Sequence, residues 1–244
     1  MDKEELYKYK EKTGYSLEQV ELDYYQHYIL SKLYHKFNTI YFKGGTALQK
    51  CYNIKRFSED LDFNYEKLDI KKIISFIENI FDSKIFDYNK TEFEVSFSIR
   101  FKGILYAGDK RTMCKISFDF REGDIYTEPL KKIIRPVYAD IDNYFLLALS
   151  QEEILAEKVR AIMTRYRARD IYDLNELLIE GVGINYDLIN KKLKTYDISF
   201  DKKLFKKKIN EKESIYDEEM KRLTKIYPSF EECKKRITEN FGLE

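Results

Sequence analysis

Cysteine, histidine and tryptophan are scarce in this sequence of 244 residues, which holds three Cys, two His and no Trp. Cys51, Cys114 and Cys233 are odd in number and lack the spacing of zinc ligands, so we expect reduced core thiols rather than disulfides. With only His27 and His35 available, a histidine-based zinc site or catalytic triad is disfavoured.

Long apolar runs are also missing from the sequence. A membrane-spanning helix needs about 20 consecutive apolar residues, and no stretch approaches that length. The opening Met-Asp-Lys-Glu-Glu does not have the pattern of a signal peptide. We therefore expect a cytoplasmic protein with no membrane partner.

Neither sign of charge dominates, because 44 basic residues face 43 acidic ones. Overall charge therefore gives no indication of a nucleic-acid partner. The lysine-rich run 202–208 is locally basic. Such a run is most often a solvated helix face, and a polyanion-binding surface is the alternative.

The most informative stretch runs from Lys43-Gly-Gly-Thr-Ala-Leu48 to Arg56-Phe-Ser-Glu-Asp-Leu-Asp-Phe63. Side chains alternate along a strand, so Asp60 and Asp62 are predicted to share one face. Two carboxylates on one face repel each other, and a divalent cation removes that cost. A glycine turn that opens a helix supplies backbone N–H groups for a phosphate. Together these features indicate chemistry on a nucleotide.

These two segments resemble the first motif of the AbiEii-type nucleotidyltransferases, toxins of the DNA polymerase β-like superfamily. The superfamily signature is Gly-Ser/Thr, a spacer and Asp-x-Asp/Glu. Thr46 stands at the Ser/Thr position, and thirteen residues, 47–59, separate it from Asp60. The resemblance implies that Asp60 and Asp62 hold Mg²⁺, or Mn²⁺ in its place.

Chemistry of this type needs a third carboxylate on a neighbouring strand, and Asp119 in Lys115-Ile-Ser-Phe-Asp-Phe120 is the candidate. Alternation places Asp119 opposite the apolar side chains of its strand. The alternative is a solvated residue of an outer face. With the resemblance, we favour a catalytic role for Asp119. It would bind the catalytic ion and orient or deprotonate the attacking hydroxyl. Two metal ions would clamp the attacking and leaving oxygens.

A second resemblance to the family covers residues 149–161 and 165–174. It implies that Lys158 contacts the triphosphate, whereas its position beside an apolar stripe is, taken alone, more typical of a lysine that reaches solvent. Asp170 is a predicted site residue that also suits a helix cap. The full predicted nucleotide-binding set is Lys43, Gly44, Gly45, Thr46, Arg56, Ser58, Lys158 and Asp170.

The periodicity predicts an α+β protein. Residues 1–142 are expected to form a polymerase β-like nucleotidyltransferase domain, a mixed sheet with helices that begins with N-terminal helices. Residues 143–244 are expected to form a C-terminal helical bundle, with one helix predicted from Phe200 to about Lys225.

The predicted function is Mg²⁺-dependent transfer of a nucleoside monophosphate from an NTP to an acceptor, either an RNA such as tRNA or a protein. The resemblance further implies a toxin with a cognate antitoxin. The alternative is a non-catalytic nucleotide-sensing or protein- or RNA-binding module on the same fold. Retention of all three carboxylates disfavours that alternative.

Overall fold

A computed structural model describes residues 1–243 of the chain, which form two compact units. The first unit comprises residues 1–47, 59–125 and 129–148, and the second comprises residues 48–58, 126–128 and the chain from Leu149 onward. The second unit thus includes two short segments that precede its helices in sequence. The division predicted at residue 142 stays a prediction.

The first unit is built on a mixed sheet of seven strands. In chain order they are β1 (Ile40–Lys43), β2 (Leu61–Tyr65), β3 (Ile85–Lys90), β4 (Glu94–Phe101), β5 (Cys114–Glu122), β6 (Leu130–Ile134) and β7 (Tyr144–Ala148). Their order across the sheet is β3-β4-β5-β2-β1-β7-β6. The pairs β2/β5 and β1/β7 are parallel, and the other four pairs are antiparallel.

One face of this sheet is an aromatic core. Phe63 stacks on Phe120 with ring centroids 4.9 Å apart, and Phe97 lies 5.2 Å from Phe118. All four rings are buried. Because strand side chains alternate, the residues between these rings point to the opposite face, where the polar side chains collect.

The helices of the first unit are α1 (Lys3–Thr13), α2 (Leu17–Lys36) and α4 (Ile70–Phe81), with a short 3₁₀ turn at Lys110–Thr112. The Ser16 side chain caps α2 in a capping box with Gln19, as the sequence indicates. Helix α3 (Gly44–Tyr52) begins in the first unit and ends in the second.

The second unit is helical. Its helices are α5 (Gln151–Thr164), α6 (Arg169–Ile179), α7 (Tyr186–Lys194), α8 (Lys202–Asn210), α9 (Glu213–Leu223) and α10 (Phe230–Phe241). The predicted mixed sheet followed by helices is therefore confirmed. Within residues 1–243, no helix combines the length and apolarity needed to cross a membrane.

Three boundaries differ from the sequence predictions. The helix predicted from Phe200 to Lys225 is two helices, α8 and α9. Strand β2 begins at Leu61 rather than at Phe57, so Asp60 lies just before the strand. The segment 144–148, expected to be helical, is strand β7.

Candidate active site on the polar face of the sheet

The turn between β1 and α3 brings the backbone against a carboxylate. Gly44 has φ +71°, a left-handed conformation that side chains disfavour. A Cβ atom at Gly44 would lie 2.2 Å from Oδ2 of Asp62. Only glycine fits here, because both the dihedral angle and the close approach exclude a side chain. Asp62 is thereby seated beside the first turn of α3.

The first turn of α3 holds Gly45 and Thr46, both buried. The Thr46 hydroxyl donates to the backbone carbonyl of Asp60 at 2.5 Å, which fixes the chain just before β2. Helix α3 carries no acidic residue of its own in its first turn, and its N-terminal N–H groups present positive potential beside the Asp62 carboxylate. Phosphate contacts by Gly44, Gly45 and Thr46 stay predictions.

A row of polar residues crosses five strands at this point. Lys43 pairs with Asp62, and Asp62 pairs with Asp119 on the parallel strand β5. Asp119 pairs in turn with Ser96, and Ser96 with Asn89. Directly paired residues project from the same face of a sheet. The structure therefore brings Asp119 beside Asp62. Asp60 lies one residue before β2, and its place on this face stays a prediction.

The neighbouring charged side chains of this row change the pKa of Asp119. Burial, a side-chain hydrogen bond with Glu94 and the charge of Asp62 raise the pKa of the Asp119 carboxyl well above its ordinary value, while Lys43 opposes the rise. Lys43 is itself buried, 5% exposed. It therefore acts as a cationic neighbour of the carboxylates, and its predicted phosphate contact stays a prediction.

Glu94 is a site residue that the sequence analysis missed. It lies at the start of β4 directly opposite Arg121, two residue pairs along from Ser96 and Asp119 and therefore on the same face. The signal was present in the sequence, since Glu94 and Ser96 alternate with the apolar Val95 and Phe97. What the sequence did not show was that β4 pairs with β5, which places Glu94 within hydrogen-bonding reach of Asp119.

The carboxylates suit a hard divalent cation. Within residues 1–243, no group of three or more His, Cys, Asp and Glu side chains stands ready to enclose a metal ion. Mg²⁺, however, is usually held by one or two protein carboxylates together with substrate phosphates. Asp62 and Asp119 provide such a pair, and their mutual repulsion is what a cation would relieve.

Arg56 and Asp173 form a buried bidentate ion pair in the second unit. Arg56 Nε and Nη2 donate to the two Asp173 carboxylate oxygens at 2.5 and 2.6 Å, and Nη1 donates to the Phe57 carbonyl. Burial opposes ionisation of Asp173, but the charges of Arg56 and Lys158 outweigh it and hold the pKa of that carboxyl below its ordinary value. The guanidinium is therefore engaged by the protein itself.

Lys158 extends this pair into a network. Its Nζ lies 3.1 Å from Asp170 Oδ1 and 2.6 Å from Asp173 Oδ2, and it is 4% exposed. Arg165 binds Asp170 through two further hydrogen bonds of 2.8 Å. Burial opposes ionisation of Asp170, and Lys158 and Arg165 overcome that effect, so the pKa of this carboxyl is also lowered.

The network bears on the predicted nucleotide contacts of Arg56, Lys158 and Asp170. A triphosphate that engages Lys158 must compete with two carboxylates. Ser58, also predicted, is buried and its N–H donates to Gln49 Oε1 at 3.1 Å. The nucleotide contacts of these four residues stay predictions.

Solved structures of similar fold come from two bacteria. MenT4, a nucleotidyltransferase toxin from Mycobacterium tuberculosis, superposes with a TM-score of 0.65 at 21% identity, covering 93% of this chain and 84% of that one. JHP933 from Helicobacter pylori gives a TM-score of 0.60 at 20% identity, covering 93% and 92%. At these identities the likeness concerns the fold. No curated protein matches the chain.

A family model matches residues 28–236 of the chain, and its description is "Nucleotidyl transferase AbiEii toxin, Type IV TA system". The match includes both segments on which the resemblance rested, the glycine turn with its aspartates and the stretch around Lys158. It also spans the whole of β1 to α9. The chain therefore belongs to the AbiEii family, the nucleotidyltransferase toxins of type IV toxin–antitoxin systems.

Proposed function

We propose that this chain transfers a nucleoside monophosphate from an NTP to an acceptor hydroxyl and releases pyrophosphate. The observation that supports this most strongly is the pairing of Asp62 with Asp119 on adjacent parallel strands. Gly44 opens α3 directly against the Asp62 carboxylate. A phosphate held by the start of α3 would thus lie beside both carboxylates.

Asp60 and Asp62 would hold Mg²⁺, or Mn²⁺, with the help of the substrate phosphates, and Asp119 would complete the ligand set. A bound divalent ion supplies charge neutralisation at the phosphates and favours ionisation of the attacking hydroxyl. Asp119 would orient that hydroxyl. Lys43 balances the negative charge of the pair, which keeps the carboxylates together before the substrate arrives.

The phosphates would bind at the N-terminus of α3. Its first N–H groups have no partner within the helix, and the helix dipole adds positive potential there. Gly44 and Gly45 let a phosphate approach the backbone closely, because they carry no side chain. Thr46 would act indirectly, by fixing Asp60 through its hydroxyl.

The acceptor would be an RNA such as tRNA, or a protein. In the cell the activity would inhibit growth and be counteracted by an antitoxin, as membership of a type IV toxin–antitoxin family implies. The second candidate, a non-catalytic nucleotide-sensing module, is disfavoured because the chain retains Asp60, Asp62 and Asp119, of which Asp62 and Asp119 are paired on adjacent strands.

Labelling with each α-³²P-NTP, in the presence of Mg²⁺ and cellular RNA or protein, tests the proposal. Replacing Asp62 by Asn should lower transfer by at least about 100-fold, and should also remove growth inhibition on expression. The matched control is Asp142→Asn, an exposed aspartate of the same unit, which should transfer like the wild type. Undiminished transfer by a folded Asp62→Asn protein would contradict the assignment.

A further inference from the structure

The polar face of the sheet continues beyond the row that holds the carboxylates. Two residues before Asp119 on β5, Ser117 pairs with Ser98, and Ser98 pairs with Phe86 on the edge strand β3. The hydroxyl oxygens of Ser98 and Ser117 lie 3.2 Å apart, so both side chains project from the same face. Beyond them, Arg100 pairs with Lys115. Uncharged hydroxyls thus connect the carboxylates to a pair of cations.

Phe86, Arg100 and Lys115 form what we call the cationic platform. The guanidinium carbon of Arg100 lies 4.4 Å from the centroid of the Phe86 ring, and Lys115 Nζ lies 5.5 Å from it. Arg100 and Lys115 are exposed, and Phe86 is half-buried. The ring therefore holds two cations in defined positions on an open surface.

The acid beside the platform is Asp87. Its carboxylate lies 4.0 Å from Lys115 Nζ, and both side chains are largely exposed, 67% and 43%. An exposed pair at this distance contributes little and is easily exchanged for another anion. The charge of Arg100 remains directed at solvent, so the platform keeps its attraction for polyanions.

We propose that the cationic platform binds the acceptor, and that the acceptor is a single-stranded segment of RNA. This inference rests on the proposed function, because it gives the platform its role in transfer. Arg100, whose guanidinium carbon lies over the Phe86 ring, offers a planar group on which a base stacks, and Lys115 pairs with a backbone phosphate. Ser117, the more exposed of the two serines, would lie along the path of the chain end.

The spacing fits this arrangement. Strand β3 lies two strands away from β5, and Phe86 is level with Ser117, two residues along β5 from Asp119. With ordinary strand spacing and rise, Phe86 and Asp119 are separated by roughly 12 Å. A few nucleotides of extended chain cover that distance. An RNA segment seated on the platform would therefore deliver its terminal hydroxyl to Asp119. The net charge of only +1 makes this local surface, rather than the whole molecule, the source of attraction.

Binding of a fluorescein-labelled single-stranded RNA, measured by anisotropy without Mg²⁺ or NTP, tests the platform directly. The double variant Arg100→Glu, Lys115→Glu should weaken binding at least 10-fold and make it less sensitive to salt. The control is Lys71→Glu, Lys72→Glu, which makes the same change in charge at two exposed lysines of α4. It should change binding less than twofold. Circular dichroism should show both proteins folded.

A second variant separates stacking from charge. Phe86→Leu keeps an apolar side chain under Arg100 but removes the ring that orients it, so RNA binding should weaken about threefold to tenfold with no change in net charge. In transfer assays, all platform variants should raise KM for the RNA acceptor and leave KM for the NTP unchanged.

The outcomes distinguish the two proposals. RNA binding that depends on the platform, in a protein that transfers no nucleotide, supports the platform and overturns the proposed function. Transfer to RNA with an acceptor KM that the platform variants do not change overturns the platform and leaves the function standing. Equal weakening by the control, absence of RNA binding by the wild type, or labelling of protein alone would also overturn the platform.

Discussion

At the scale of single residues, Gly44 carries the most specific constraint in the site. A Gly44→Ala protein must place a methyl group at φ +71° and 2.2 Å from the Asp62 carboxylate. The left-handed conformation alone costs about 1–2 kcal/mol, and the clash requires Asp62 or the turn to move. We expect a loss of stability above that range, together with a large loss of nucleotidyl transfer, measured by urea unfolding and by labelling.

The Gly108→Ala variant separates the cost of the left-handed conformation from the cost of the clash with Asp62. Gly108 also has positive φ, +90°, but a Cβ atom there would meet nothing within 4 Å. It should show the conformational cost of about 1–2 kcal/mol alone, with transfer unchanged. If Gly44→Ala were no more damaging than Gly108→Ala, the close approach of Asp62 to the turn would be wrong.

Arg56 gives a second prediction at this scale. Lysine cannot reproduce the two parallel hydrogen bonds to Asp173. Because the pair is buried, Arg56→Lys should lower the free energy of unfolding by about 2–4 kcal/mol. Arg222→Lys is the matched control, since Arg222 pairs with Glu218 at the surface, where both side chains are 73% exposed. It should stay within about 0.5 kcal/mol of the wild type.

The site residues differ in how well sequence alone predicts them. Asp60 and Asp62 stand in a motif that marks both as candidates, but alternation along β2 applies only to Asp62, because Asp60 lies just before the strand. Asp119 could be placed on a polar face, but its pairing with Asp62 depends on β5 lying next to β2, a long-range contact that periodicity does not encode. Glu94 was missed for the same reason. The ion pairs of Lys158 depend on how α6 packs and could not be predicted.

At the scale of secondary-structure elements, the packing of α7 depends on a buried charge. Lys192 is fully buried, and its Nζ lies 2.7 Å from Glu153 and 3.4 Å from Glu157, both on α5. Glu153 also accepts hydrogen bonds from the backbone N–H groups of Tyr126 and Thr127. One lysine thus joins α7 to α5 at the point where α5 holds the segment 126–128.

Lys192→Met should therefore destabilise the protein by about 3–5 kcal/mol, because it removes the buried cation that lies beside Glu153 and Glu157. Chemical unfolding measures the effect. The control is Lys191→Met, a change at the preceding, exposed residue of the same helix, which should be close to neutral. A stable Lys192→Met protein would show that α7 is held by its apolar contacts alone.

Elements were predictable where a local signal marked them. Ser16 and Gln19 mark the start of α2, and alternating apolar residues mark β4 and β5. The break between α8 and α9 carries no glycine or proline. It is fixed instead by Lys212, which is 1% exposed and donates to the carbonyl oxygens of Ile162 and Lys208. In a sequence rich in lysine, a single buried one cannot be recognised. Strand β7 is a short apolar run, which periodicity does not distinguish from a helix.

At the scale of the whole molecule, opposite charges nearly cancel at pH 7, so long-range repulsion contributes little to stability there. Buried carboxylates with shifted pKa values contribute more. Asp170 and Asp173 both have a pKa below the ordinary aspartate value of 3.8, since their cationic neighbours outweigh the effect of burial. Each is therefore more acidic in the folded protein than in the unfolded chain.

The stability that these two carboxylates contribute is lost as the pH falls. Above about pH 5 both carboxyls are ionised in the folded and the unfolded state, and the stabilisation by these ion pairs is fully present. As the pH falls below the ordinary value, the unfolded chain binds protons first, so the free energy of unfolding decreases until the folded carboxyls are protonated too. Acid should thus destabilise the protein through the network around Lys158, even though the carboxylates of that network are buried.

Asp173→Asn isolates this contribution. The variant should be less stable than the wild type by about 3–5 kcal/mol at pH 7, because Arg56 loses its buried partner. The difference should shrink as the pH falls from 4 to 2, since Asp173 of the wild type then takes up a proton in the unfolded chain before it does so in the folded protein. Urea unfolding at several pH values measures both quantities, with Asp142→Asn, at an exposed aspartate, as the variant whose curve should follow the wild type. A difference that stayed constant down to pH 2 would mean that Asp173 contributes through hydrogen bonds that survive protonation, and not through its charge.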